Sequence, residues 1–185
     1  MENCVRASPL LVPILDRWDE IRLPDAWLVA GAVAQTVWNE MLDYPPDHGI
    51  RDVDIVYFDG DDLRADSETR VEQRIRSLFA GLPVVFGVKN EARVHLWYEA
   101  KFGRAIPPYR STEEAIATFP TTATAIGIRP AGGGIDVTAP FGLADLMSLV
   151  VRPNKAQVTQ PIYDAKIARW RDLWPGLDIR PWDED

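Results

Sequence analysis

The chain has 185 residues, 46% hydrophobic and 26% charged, a length and balance that suit one globular domain with a sizeable core. Its 28 acidic against 20 basic side chains leave a net charge of -8, which disfavours a surface that neutralises a run of nucleic-acid phosphates and makes small molecules the expected partners. The single cysteine, Cys4, excludes an intrachain disulfide; with no leader-like start and no apolar run near the roughly 18 residues of a membrane span, a cytoplasmic location is expected, without membrane contact.

In chain order, residues 9–21 put Leu10, Ile14, Leu15, Trp18 and Ile21 at helical spacing behind Ser8 and Pro9, which predicts a first helix. Pro13 sits awkwardly inside it. Residues 27–30 form a short continuous apolar run, as in a strand covered on both faces, closed by Gly31-Ala32. Residues 33–42 then repeat apolar side chains every four positions, a second helix. A glycine between strand and helix lets backbone amides at the helix start approach an anion such as a phosphate, or merely permits a tight turn.

Residues 43–49 are a loop rich in turn formers. Next comes the strand of residues 51–59, Arg-Asp-Val-Asp-Ile-Val-Tyr-Phe-Asp. Alternation aims Asp52 and Asp54 to one face, about 6 to 7 Å apart along the chain. Two carboxylates so placed repel and lose hydration, and a divalent cation between them is the simplest compensation; the plainer alternative is two surface acids on an edge strand.

A helix follows over residues 64–79, with acids early and arginines late. Residues 83–88 and 93–98 read as a strand interrupted near Lys89-Asn90, with Arg93 and His95 on one polar face that Glu91 would extend. Ser111-Thr112-Glu113-Glu114 fits a capping box opening a short helix. Residues 121–129 and 135–139 read as strands joined by the glycine-rich turn 130–134, with Asp136 a further acid in an apolar strand. Short and terminal helices are expected at 143–150 and 161–173, the latter leaving Lys166, Arg169 and Arg171 in solvent. His48 and His95 are the only histidines, too few to make zinc attractive.

Taken together, Trp27-Leu28-Val29-Ala30-Gly31, Asp52-Val53-Asp54, Asn90-Glu91-Ala92-Arg93-Val94-His95-Leu96-Trp97 and Ala139-Pro140-Phe141-Gly142-Leu143 resemble a bacterial family of nucleotidyltransferase-like proteins in the DNA polymerase beta-type superfamily. The resemblance implies an α/β (α+β) fold, a mixed sheet flanked by helices with a C-terminal strand-helix extension. It also implies a single domain over 1–185, with the active site in 1–100 and 101–185 packed on it. The implied activity is Mg²⁺-dependent transfer of a nucleoside monophosphate from a nucleoside triphosphate to a hydroxyl of a small-molecule acceptor. Asp52 and Asp54 would hold one or two Mg²⁺ ions and Gly31 and Ala32 would meet the phosphates. Arg93 and His95 would be further nucleotide contacts, and Asp136 or Glu91 the third carboxylate. Three departures stand out: Ala32 replaces the usual Gly or Ser, Ala34-Gln35 replaces a usual Arg-Asn, and 21 positions separate Gly31 from Asp52 where about a dozen are usual. They leave a second reading, a module of the same fold that binds a nucleotide or partner without turnover.

Overall fold

The computed structural model describes residues 1–184. The elements run α1 (Glu2–Ala7), α2 (Val12–Asp16), α3 (Trp18–Ile21), β1 (Trp27–Val29), α4 (Gly31–Met41), β2 (Asp52–Tyr57), α5 (Ala65–Leu78) and β3 (Val85–Asn90). They continue with α6 (Val94–Phe102), α7 (Thr112–Ile116), β4 (Gly127–Ala131), β5 (Gly134–Thr138), α8 (Ala144–Met147), β6 (Val150–Val151), α9 (Gln160–Leu173) and β7 (Asp178–Ile179). Five strands form one mixed sheet in the order β3-β2-β1-β4-β5, and β6 and β7 pair separately. Only β2 and β3 are parallel neighbours in the large sheet, which is why a whole helix, α5, connects them.

β1 lies in the middle, and its three residues are buried, as its uninterrupted apolar run requires. One sheet face carries Leu28, Val53, Ile55 and Tyr57 into the main core with Val33, Val37 and Trp38 of α4. The opposite face carries Trp27, Val29 and Val56, covered by Ile116 and Ala125. Register puts Asp54 beside Val29 and Gly87, so its side chain belongs to this second face.

α9 locks the segment that feeds β2. Its apolar stripe Tyr163, Ile167 and Trp170 is buried, and Trp170 and Trp174 stand edge-on to Trp38 at 5.1 and 5.6 Å. The Trp174 indole donates to Asn39 Oδ1 (2.7 Å), while Asn39 Nδ2 donates to the carbonyls of Pro46 and His48. His48 closes the loop, bonding the Leu173 carbonyl at 2.9 Å and stacking on Tyr44. The long 43–49 connection is therefore ordered by α9 and the residues just after it.

Four expectations are corrected. Residues 93–98 are not a strand: Glu91–Arg93 is a 3₁₀ turn and Val94–Phe102 is α6. The pattern Val94, Leu96, Tyr98 fits alternation, but Val94, Tyr98 and Phe102 also fall four apart, and Gly103 at φ 75° supplies a left-handed stop. The first helix is three short pieces, as Pro13 warned. β3 runs unbroken through Lys89 and Asn90. Residues 122–124 form a 3₁₀ turn, and strand geometry starts only at Gly127. The short capped helix, the glycine hairpin turn and the terminal helix are where the spacing put them.

Gly49 sits at φ +69°, and a Cβ there would come within 2.6 Å of the Trp174 ring. Gly49→Ala is expected to destabilise the protein by about 2–3 kcal/mol in urea unfolding, from backbone strain plus displaced packing.

Candidate active site

The site is assembled at the edge of the covered face, where β2 passes between the β1–α4 turn and the end of β3. Asp54 is half-buried, and no described residue donates a hydrogen bond to its carboxylate. It lies against Gly87, where an added Cβ would stand 2.5 Å from Asp54 Oδ1; a glycine in mid-strand makes room for that carboxylate. Burial, and then the negative charge of Asp52, push Asp54 up to about 6, opposed by Lys166 and Lys89. Asp52 opens β2 with its side chain 56% exposed, and Arg169 Nη1 lies 3.9 Å from its carboxylate. The pair thus faces the same way, one group in the cleft and one at its rim.

A cleft of about 220 Å³ is lined by Asp54, Gly87, Lys89, Glu91 and Lys166, with Val29 and Ala30 on the other side. Glu91, from the turn after β3, is buried. Burial, followed by the charges of Glu68 and Asp54, pushes it up to about 8 against the pull of Lys89. Glu91 is therefore the acid that lines this cleft together with Asp54, while Asp52 stands outside the lining.

Ala30 closes β1 at φ 58°, ψ −127°, a region costly for any residue with a Cβ. Its amide is held by the Ile126 carbonyl, and the α4 ladder starts with Ala34 N donating to Ala30 O at 3.1 Å. The amides of Gly31, Ala32 and Val33 therefore have no acceptor within the helix, and the positive end of α4 borders the cleft. Ala34 and Gln35 are buried. The positive charge comes from elsewhere: Lys89 on β3, and Lys166 and Arg169 three apart on α9.

The other expected residues lie apart from this group. Asp136 is on β5, three strands from β2, paired with Arg129 at 3.1 Å; that arginine also holds Asp25 and caps the Trp27 ring. The acid is part of a salt-bridge cluster at the far edge of the sheet. Arg93 is buried, with Nη1 3.0 Å from Glu68 and Nε donating to the Leu63 carbonyl, so it braces α5 against β3. His95 is on α6, its Nδ1 buried without a partner, and lines no part of the cleft. His48 is engaged in the 43–49 loop. Helix periodicity assigns Lys166 and Arg169 to solvent, whereas Lys166 lines the cleft and Arg169 lies near Asp52; for Lys89 the nearest signal in the sequence is the interior glycine at 87, which marks a close approach to β3.

Among the described residues no three His, Cys, Asp or Glu side chains converge tightly enough to make a metal site unaided. The donor set nonetheless fits a hard dication: carboxylate oxygens without hydrogen-bond donors, one of them desolvated, with room beside them for other oxygens. Mg²⁺ is commonly held by one or two carboxylates, with water and substrate phosphates completing its shell. No helix among the described residues is long and apolar enough to cross a membrane.

The chain matches the family described as Nucleotidyltransferase over residues 16–179. Among solved structures it is similar to one described as revealing a CCA-adding enzyme head domain, with a TM-score of 0.80 and 24% identity over 97% of this chain and 94% of that one. It is also similar to part of the Thermotoga maritima CCA-adding enzyme complexed with tRNA_CCA, at a TM-score of 0.51 and 16% identity over 94% of this chain and 38% of that chain. The mixed five-stranded sheet with its flanking helices is thus the fold of a nucleotidyltransferase head domain. A comparison with curated proteins gave no match.

Because Asp54 and Glu91 bind protons more tightly folded than unfolded, the metal-free protein loses stability as pH rises from about 4 to 6 through Asp54 and from about 4.5 to 8 through Glu91. Asp54→Asn and Glu91→Gln are therefore expected to melt higher than the parent protein at pH 8 in EDTA, with the difference vanishing below pH 4. A lower melting temperature for both at pH 8 would contradict the desolvated-acid description.

Proposed function

The chain belongs to the nucleotidyltransferase family, and from that premise we propose that it moves a nucleoside monophosphate from a nucleoside triphosphate to a hydroxyl of a small molecule, with Asp52 and Asp54 holding Mg²⁺. The observation that carries this reading is the Asp54 carboxylate, desolvated beside a second acid, in a cleft lined by Ala30, where α4 opens, and by Lys89 and Lys166. Such an arrangement destabilises the empty protein and is compensated when a cation and phosphates enter.

Mg²⁺ bound there would neutralise the charge that builds on the entering and leaving oxygens. The chain's own groups do the rest. The amides opening α4 donate to the β- and γ-phosphates, with the helix dipole behind them. Lys166, on a helix anchored by its tryptophans, presents its ammonium to the same cleft and offsets the triphosphate's charge. Arg169 holds Asp52 at the rim by charge, limiting the rotamers it samples before binding. Glu91, which a cation entering beside Asp54 would help to ionise, faces the acceptor's hydroxyl and takes its proton. The non-catalytic alternative rested on Ala32, Ala34 and Gln35, and it is less favoured because Lys89 and Lys166 supply positive charge that α4 lacks.

The net charge of -8 favours a small acceptor over an RNA for this chain, although one protein of like fold is a CCA-adding enzyme complexed with tRNA_CCA. Calorimetric titration of each common nucleoside triphosphate with Mg²⁺ tests the core of the reading. Asp52→Asn and Asp54→Asn are expected to abolish binding while leaving the circular dichroism spectrum intact, and unchanged affinity in both would sink the scheme. Lys166→Ala is expected to weaken binding about tenfold, the loss of one charge-assisted contact. Pyrophosphate release with a new nucleotide adduct from a small-molecule extract identifies turnover.

A further inference from the structure

Beside the cleft, and sharing Lys89, Glu91, Phe119 and Pro120 with it, lies a second cavity of about 220 Å³. Five aromatic side chains line it: Trp97, Tyr98 and Phe102 from α6, with Tyr109 and Phe119. We propose that this cavity is the acceptor subsite, and that the acceptor is a small hydroxyl compound built on a flat, uncharged ring. The proposal deepens the transferase reading and rests on it.

Position argues first. Across β2 from Ala30 and the opening of α4 stand Lys89 and Glu91 at the end of β3. Attack on the α-phosphorus is in line, so the entering oxygen comes from the side opposite the leaving pyrophosphate. With the β- and γ-phosphates at the α4 amides and the α-phosphate at the carboxylates, that side is Glu91 and the aromatic cavity behind it. The nucleoside's own ester oxygen is not on this axis, which leaves the cavity for the second substrate. The acceptor oxygen forms the new bond to the α-phosphorus. The bond from that phosphorus to the bridging oxygen breaks, pyrophosphate leaves with the electron pair, and the hydroxyl proton passes to Glu91.

Chemistry argues second. Away from the Lys89 and Glu91 end, the hydroxyls of the cavity wall are engaged with their neighbours. Tyr109 Oη donates to Gln157 Oε1 and lies 2.9 Å from Thr118 Oγ1, while Tyr98 Oη donates to the Gln157 carbonyl at 3.3 Å. A sugar or polyol would bring several hydroxyls to walls with little left to receive them, a heavy desolvation cost. A ring that stacks on Trp97 or Phe119 and keeps its hydroxyl at the Glu91 end meets what is there.

Ligand-observed NMR with tyrosol, an aromatic ring bearing a primary alcohol, and with ribitol, a polyol, tests the assignment on the full chain. Tyrosol is expected to bind without nucleotide, and ribitol is not. Trp97→Ala, and separately Phe102→Ala at the exposed rim, should each weaken tyrosol about tenfold or more from lost stacking and burial, with the Mg²⁺-nucleotide isotherm as the check that either variant is folded. Ribitol binding as well as tyrosol, or both variants retaining full tyrosol affinity, overturns the proposal. So does competition between tyrosol and nucleotide, which would make the cavity the seat of the base. The parent protein separates the two readings: tyrosol binding with no Mg²⁺-nucleotide isotherm would fail the transferase reading while leaving the ring subsite standing, whereas Asp54→Asn is expected to lose the nucleotide and keep tyrosol.

Discussion

A carboxylate held half-buried next to a second acid is the constraint around which this molecule is arranged. Removing Asp54 from water without a hydrogen-bond donor or a contacting cation costs stability, and the surroundings keep the charge exposed to the cleft rather than cancel it. Gly87 gives it space. Lys89 leans toward Glu68 and Glu72, at 3.6 and 3.4 Å, and does not close on Asp54. Glu91 adds another desolvated acid to the same cavity. Sites that retain unfavourable charge where a small substitution would relieve it are where function has been kept at the expense of stability.

The positive side of the site is supplied from the far end of the chain. α9 is fixed by Trp170 and Trp174 against Trp38, and by the chain of hydrogen bonds from Trp174 through Asn39 to the 43–49 loop. The same anchoring does two jobs: it orders the long connection into β2, and it sets Lys166 and Arg169 over the start of that strand. The 21 positions between Gly31 and Asp52 thus carry a loop that α9 needs as a docking surface. The large sheet likewise draws strands from both halves of the chain, with β4 seated directly on β1.

Much of this frame was legible in the residues. An unbroken apolar run at 27–30, a glycine, then four-residue spacing could be little else than a central strand turning into a buried helix, and Asp-Val-Asp-Ile-Val-Tyr alternated cleanly enough to aim both acids to one face. Around α6 the pattern was ambiguous, because Val94, Leu96 and Tyr98 satisfy a period of two and, with Phe102, nearly satisfy a period of four. Reading it as strand gave His95 and Arg93 a shared polar face that the helix dissolves. Asp136 shows a different limit. Apolar-acid-apolar is what a strand shows whether the acid faces a metal or an arginine, and only sheet order reveals that Arg129 is the neighbour. Lys166 and Arg169 were hidden because the side of a helix away from its apolar stripe reads as solvent until the tertiary fold lays another charge against it.

An acidic protein that handles polyphosphates must make its positive potential local. On the function proposed, the overall charge of -8 would repel extended polyanions at a distance, while helix amides, two lysines and a cation at the aspartates would act only within the cleft, where low dielectric strengthens them. Such a division would favour a ligand whose negative charge is compact, as in the proposed triphosphate, and a reaction partner that carries none. The aromatic cavity next to Glu91 extends the same logic, since an uncharged ring pays nothing to approach the acidic surface and gains most by leaving water. The electrostatics of the whole chain and the apolar walls of one cavity therefore favour the same kind of second substrate, the one proposed.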